Sequence, residues 1–159
     1  MPAIVALNNA DARELGHADQ AELVRFLDNA SHAAAIGPRG DPDAFLICFD
    51  HTTPAQGPNH AFFLARHARF LYVDRVCVHE RARRRGLARS LYEDAFAVAS
   101  TRSLPLVCCE VDVENAGSLA FHAAMSFTAV AEAYLPARGK TVRYVERETL
   151  SGRRGASEA

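Results

Sequence analysis

The sequence predicts a single α/β domain. Two strongly β-forming runs, Phe70–Val78 and Leu104–Val113, are dense in β-branched and aromatic residues. Between them Leu87, Leu91, Ala95 and Val98 recur at i, i+4, i+8 and i+11, the stripe of an amphipathic helix. Strand and helix patterns alternate through 159 residues, a length that suits one core.

Taken in order, Ile4 to Leu7 is expected as a short first strand. From Asp19 to Asn29 the apolar residues Ala21, Leu23, Val24 and Leu27 return at helical spacing. Ala33–Ile36 forms a second strand, closed by the turn-rich Gly37-Pro38-Arg39-Gly40-Asp41-Pro42. Ala44–Phe49 is a buried strand, and the aperiodic His51–Asn59 is a loop. A short helix over Ala61–Ala68 leads into the strong strand Phe70–Val78. The helix that begins near Leu87 is followed by Leu104–Val113. Asn115 then offers a cap for a helix over Ala116–Met125. Phe127–Ala133 and Thr141–Val145 close the domain as a hairpin-like pair. The domain therefore spans residues 1–150, with a small, polar, frayed tail at 151–159.

Composition removes several function classes. Hydrophobic residues at 49% and charged residues at 23% exclude a disordered chain. The formal charge of -1 argues against a general polyanion binder. No apolar run reaches the roughly 18 residues of a membrane helix, and Met1–Asp11 has no signal-peptide pattern, so no membrane partner is expected. Cys48, Cys77, Cys108 and Cys109 sit inside apolar stretches without metal-ligand spacing. They read as buried thiols of a cytoplasmic protein, with no metal site.

Charge is concentrated at one place. From His79 to Arg89 there are five arginines against one acid, and they lie between a strand and a helix. The first amides of a helix lack internal partners and carry partial positive charge, so this turn suits a phosphate. Gly86 and Ala88 keep side chains off those amides, while Arg83, Arg84, Arg85 and Arg89 add charge-assisted donors. A diphosphate cradle follows. It is no P-loop, because no Gly-Lys-Ser/Thr is present, and no dinucleotide turn, because Gly86 is the only glycine between Gly57 and Gly117.

Arg83-x-x-Gly86-x-Ala88 at such a junction resembles the acyl-CoA signature of the GNAT superfamily of N-acyltransferases. Asn115-Ala-Gly-Ser-Leu-Ala-Phe-His-Ala-Ala-Met-Ser-Phe127 is similar to the family's next block, at the family's interval. The resemblance implies a mixed central sheet whose two central strands splay apart, flanked by helices, and acetyl-CoA as cosubstrate. It implies that the backbone of Val76, Cys77 and Val78 bonds the pantetheine arm, and that amides from Arg84 through Gly86, Leu87 and Ala88 to Arg89 hold the pyrophosphate. Asn115 would reach the pantetheine near its thiol. His122 and Ser126 depart from the family's frequent Tyr and Gly. Many members dimerise, and Thr141–Val145 offers an edge for a homodimer.

A lysine-like amine is protonated at neutral pH and needs a base before it can attack a thioester. Strand alternation puts Glu110 and Asp112 on one face and Cys109, Val111 and Val113 on the other. Glu110 stands where relatives often place the base, with Asp74 in reserve on a face shared with Tyr72 and Val76. His122, as an imidazolium near 6.5, is the candidate acid for the leaving thiolate. The Val78 N–H is the candidate oxyanion donor. The expected activity is direct acetyl transfer to a primary amine of a small molecule or protein. Two rivals remain: an acyl-CoA sensor without turnover, and a nucleic-acid patch at Arg81–Arg89.

Overall fold

The structure, a computed structural model, describes residues 1–150, without the side chains of residues 12 and 13. The expected tail, Ser151–Ala159, lies outside the described residues. In chain order the elements are α1 (Pro2–Ala10), α2 (Ala12–Leu15), α3 (Gln20–Asn29), β1 (His32–Ile36), β2 (Ala44–Asp50) and α4 (Pro58–Arg66). They continue as β3 (Leu71–Val78), α5 (Leu87–Thr101), β4 (Leu106–Asp112), α6 (Ala116–Ala124), β5 (Thr128–Leu135) and β6 (Lys140–Glu148). Single 3₁₀ turns lie at Glu80–Ala82 and Pro136–Arg138.

The strands form one mixed sheet in the order β1-β2-β3-β4-β6-β5. Only β3 and β4 run parallel; the other neighbours are antiparallel. Side-chain alternation across the sheet divides the core in two. On one face Leu91, Tyr92, Ala95 and Ala99 of α5 pack with Val107, Cys109 and Val111 of β4. On the other, Leu7 of α1 and Phe63 of α4 pack with Phe45, Ile47, Phe49 and Tyr72. Cys108 and Cys109 fall in opposite cores, as alternation requires.

One expected strand is a helix. Ile4–Leu7 lies inside α1, where Pro2 occupies the first turn and leaves no wasted N–H. Ile4 and Leu7, three residues apart, both face the core, which a strand would not allow. The apolar run Ile4-Val5-Ala6-Leu7 carries no period of its own, so tertiary packing decided it. The helix Gln20–Asn29 is fixed more locally, by a capping box between Asp19 and Glu22.

Two irregularities shape the site. The β2–β3 register pairs Ile47 with Arg75 but Cys48 with Val73, so Asp74 is the extra residue of a β-bulge. The bulge reverses the facing of the strand. Tyr72 and Cys77 pack in one core, while Val73, Val76 and Val78 pack in the other. Tyr72 and Val76 thus do not share a face, contrary to strict alternation. The second irregularity is the short β3–β4 ladder, which stops after Leu71–Val107 and Tyr72–Cys108. Beyond it the central strands splay apart, as expected, and open a wedge.

Candidate active site

At the wide end of the wedge, β3 passes through the 3₁₀ turn into α5. Arg84 holds φ at +61° and Gly86 at +74°. The left-handed region costs about 1–2 kcal/mol for a residue with a Cβ, so the turn is held against local preference. Gly86 is the N-cap of α5 and contributes no side-chain hydrogen bond. The first helical bond runs from the Ser90 N–H to the Gly86 carbonyl at 3.0 Å. The amides of Leu87, Ala88 and Arg89 precede it and point outward from the helix start. A Cβ placed on Gly86 would meet nothing within 4 Å, so space for an anion lies directly against those amides.

The arginines of this turn divide. Arg81 is spent on structure, tied to Asp41 at 2.9 Å and Asp43 at 2.8 Å in the β1–β2 turn. Arg83 reaches Asp11 at 3.0 Å and Arg89 lies 3.9 Å from Glu93, both exposed and weakly held. Arg83, Arg84 and Arg89 border a cleft of about 1280 Å³, whereas the exposed Arg85 side chain is not on its wall. Val76 and Val78 line the same cleft, while the Cys77 side chain points into the opposite core, where burial pushes its thiol up to about 12. Asn115 accepts the Ser118 N–H at 3.0 Å as the cap of α6 and also borders the cleft.

The cleft runs between the splayed strands to the β5–β6 hairpin, and Glu110 of β4 stands in it. Its Oε2 accepts the Tyr72 hydroxyl at 2.8 Å. Burial, then the charge of Asp74, pushes its pKa up to about 7, against the hydrogen bond from Tyr72, which pulls it down. A carboxyl so placed can take or give a proton near neutral pH. Asp74 also borders the cleft, but Arg75 holds it at 2.7 Å, and Arg75 is itself fixed by Asn8 at 2.8 Å. Asp74 is therefore held in an ion pair with a fixed guanidinium, whereas Glu110 is met in the cleft by the Tyr72 hydroxyl.

His122 differs from its sequence expectation. It is buried, its Nδ1 lies 2.7 Å from the Ser118 carbonyl, and its Nε2 lies 2.8 Å from the Tyr92 hydroxyl. Burial lowers its pKa, which holds the ring neutral at rest near pH 7 and disfavours the imidazolium proposed as the acid. That tautomer places the proton on Nδ1 and makes Nε2 the acceptor of Tyr92 O–H. Tyr92, which also lines the cleft, stands beside His122 and 3.8 Å from Cys109 Sγ.

The structure thus brings Gly86, Val76, Val78, Glu110, Asn115 and His122 to one cleft. Sequence reasoning had missed Asn59, Tyr72, Tyr92 and Tyr144. Tyr72 enters the sequence reading only as a neighbour of Asp74 on its strand face, and Asn59 belongs to a segment without periodicity. The four cysteines are free and buried. Among the described residues no helix is long and apolar enough to cross a membrane.

A profile described as the acetyltransferase (GNAT) family matches residues 19–127. No curated protein matches the chain. Among solved structures, smu.2055 from Streptococcus mutans UA159 is similar with a TM-score of 0.72 at 14% identity, covering 92% of both chains. Ard1 from Thermoplasma volcanium gives 0.71 at 15%, over 94% of this chain and 93% of that one. The NatC complex bound to Gag peptide and CoA gives 0.67 at 17%, over 92% and 89%. At such identities the likeness is one of fold. The family profile covers the bulged strand, the open α5 N-terminus and the Glu110 strand together, and the chain belongs to the GNAT family of acetyltransferases.

Proposed function

We propose that this chain transfers an acetyl group from acetyl-CoA directly to a primary amine of a small molecule or protein. One observation carries the reading: a single cleft joins an uncapped helix N-terminus to a carboxyl held at about 7. Acyl transfer is the family's chemistry, and a structural neighbour was solved with CoA bound.

In this reading the pyrophosphate lies on the amides from Arg84 to Arg89, with the Arg83, Arg84 and Arg89 side chains around it and Arg85 contributing its backbone alone. The pantetheine runs along the β3 edge at Val76, Cys77 and Val78, where pairing to β4 has ended, and Asn115 lies near its thiol end. The ammonium gives its proton to Glu110. The neutral amine then attacks the thioester carbonyl, with the Val78 N–H donating to the oxyanion. The C–S bond breaks as the attached nitrogen gives up its second proton, which reaches the leaving thiolate by way of the Tyr92 hydroxyl, held by His122 Nε2; amide and CoA thiol leave, and Glu110 returns its proton to water. A base near 7 deprotonates an α-amine of pKa about 8 at a cost of about 1 kcal/mol, but a lysine-like amine at about 5 kcal/mol. The less basic acceptor is therefore favoured. Four free, buried thiols suit a reducing compartment such as the cytoplasm.

Release of CoA thiol from acetyl-CoA, measured against a panel of amines, tests the proposal. Amine-dependent release is expected, with Glu110→Gln and His122→Ala slowing it while CoA still raises the melting temperature. Loss of a general base should cost on the order of 10²–10⁴ in rate. Binding of CoA with no release for any amine would make the chain a sensor, and Glu110→Gln turnover equal to the parent's would place the base elsewhere.

A further inference from the structure

Tyr72 stands where the two central strands part. It belongs to the last rung of the β3–β4 ladder, opposite Cys108, and the bulge at Asp74 then turns β3 aside. The ladder goes no further, yet the Tyr72 hydroxyl crosses the opening gap to Glu110 Oε2 at 2.8 Å. A side-chain bond thus takes over where the backbone bonds stop, and it ends on the proposed base.

The ring that carries this hydroxyl is buried, 2% exposed, and packed among aromatics. His60 lies nearly parallel to it at 5.2 Å and 15°, Phe49 at 6.5 Å and 23°, and Phe63 tilts against it at 5.8 Å. His60 is itself fixed in the first turn of α4. Its Nδ1 accepts the Gln56 N–H at 3.3 Å, so its Nε2 carries the proton and donates to the Asp50 carbonyl at 3.1 Å. A tyrosine ring that cannot turn offers its oxygen at one point, and only the O–H bond still rotates. Burial, then the charges of Glu110 and Asp74, hold the Tyr72 pKa well above the usual value, so the phenol stays neutral and donates.

We propose that Tyr72, locked by His60, is a positioning residue for the base: its hydroxyl holds Glu110 Oε2 at the apex of the wedge, so that Oε1 takes the proton of the acceptor amine. The proposal rests on Glu110 being the base of the transfer reaction. The bond serves both protonation states. To ionised Glu110 the O–H donates as a charge-assisted bond, which favours that form. Once Oε1 has taken the proton, Oε2 is the carbonyl oxygen of the acid and still accepts the same O–H. The carboxyl therefore keeps its aim through turnover. Without the tie it would swing about its side-chain torsions, and a misplacement of about 1 Å can cost on the order of a hundredfold in rate.

Other ionisable groups stand around Glu110 on every packed element. Asp74 and Arg75 come from β3, Cys108, Cys109 and Asp112 from its own strand, Tyr144 from β6, His60 from α4, Tyr92 from α5 and His122 from α6. Asp74 is paired with Arg75, and Asp112 with Lys140. Burial raises the tyrosines and both thiols and lowers both histidines.

Tyr72→Phe keeps the ring in its stack and removes the hydroxyl alone. The first readout is a carboxyl ¹³C NMR titration of the glutamate-labelled full chain, with Glu110 assigned by its disappearance in Glu110→Gln. The parent midpoint is expected at about 7, and Tyr72→Phe should raise it by about one pH unit. The rising limb of amine-dependent kcat against pH should move with it. Above that limb Glu110 is ionised in both proteins, and kcat should stay on the order of tenfold below the parent's with KM for acetyl-CoA unchanged. Added to Glu110→Gln, Tyr72→Phe should lower the residual turnover no further, because no charge remains to be held. Glu110→Asp leaves every aromatic in place and draws the carboxylate back from the hydroxyl; it should show the same split of kcat from KM. An unmoved midpoint or a fully recovered plateau kcat in Tyr72→Phe, multiplied losses in the double variant, or parent-like turnover by Glu110→Asp overturns the positioning role and leaves Glu110 as base. Parent-like turnover by Glu110→Gln overturns the base assignment and the positioning role with it.

Discussion

Replacing Glu110 with Gln keeps the shape of the side chain and removes its proton. The parent carboxyl sits at about 7 in the folded chain against an ordinary value of 4.5. Folding therefore favours the protonated form. Its contribution to stability is complete below about 4.5 and is lost as pH rises through 7, where the folded protein must carry a buried carboxylate. The difference between the two values is worth about 3 kcal/mol. The Gln variant has no such loss. Its stability relative to the parent should rise by about 3 kcal/mol between pH 4.5 and pH 8, or about 6–12 °C in melting temperature for a chain of this size. The buried histidines titrate alike in both proteins and cancel in the difference. Urea unfolding of both at pH 5, 6, 7 and 8 measures the gap directly. A gap that stays flat, or narrows as pH rises, would refute the claim that burial lifts the Glu110 carboxyl to about 7.

Other outcomes follow from the same geometry. Gly86→Ala should cost about 1–2 kcal/mol through its left-handed backbone alone, since its Cβ meets open space, and should leave CoA binding measurable. Gly86→Glu, which sets a carboxylate over the α5 amides, should abolish the rise in melting temperature given by millimolar CoA. Tyr92→Phe removes the donor to buried His122 Nε2 and should cost about 1–3 kcal/mol in urea unfolding. Burial lowers both His60 and His122, so folding disfavours their charged forms. Stability should be unaffected by them above about 6.5 and fall as pH drops below it; His122→Gln should soften that fall in a melting-temperature series from pH 7.5 to 5. Asp74→Asn should leave the buried Arg75 without its ion pair and cost about 3–5 kcal/mol, read by the same unfolding assay.

How far the sequence carried depends on whether one residue or several decided a feature. Phe70–Val78 and Leu104–Val113 declared themselves because many β-formers agree, and Leu87–Val98 because four apolar positions share one period. The α5 junction was legible for the same reason: strand, glycine, arginines and helix stripe stand together. Glu110 was placed on its correct face because β4 runs without a bulge. The same rule failed on β3, where Asp74 is inserted opposite no partner and turns Val76 away from Tyr72. Nothing in the residues around Asp74 marks that insertion; it is set by pairing with β2. Ile4–Leu7 failed because four consecutive apolar residues fit either period. The neutral state of His122 came from burial against Tyr92 and Phe127, which no spacing reveals. Asn59, expected in a loop, stands in the first turn of α4 and accepts the hydroxyl of a tyrosine 85 residues away, a contact no spacing reveals.

The phosphate cradle at the start of α5 is the claim on which the remainder stands. The most direct measurement is an amide ¹H–¹⁵N NMR titration of the chain with CoA. The largest shifts should fall on Arg84, Arg85, Gly86, Leu87, Ala88 and Arg89, with smaller ones along Val76–Val78. Shifts centred on another surface, or none at millimolar CoA, would contradict it.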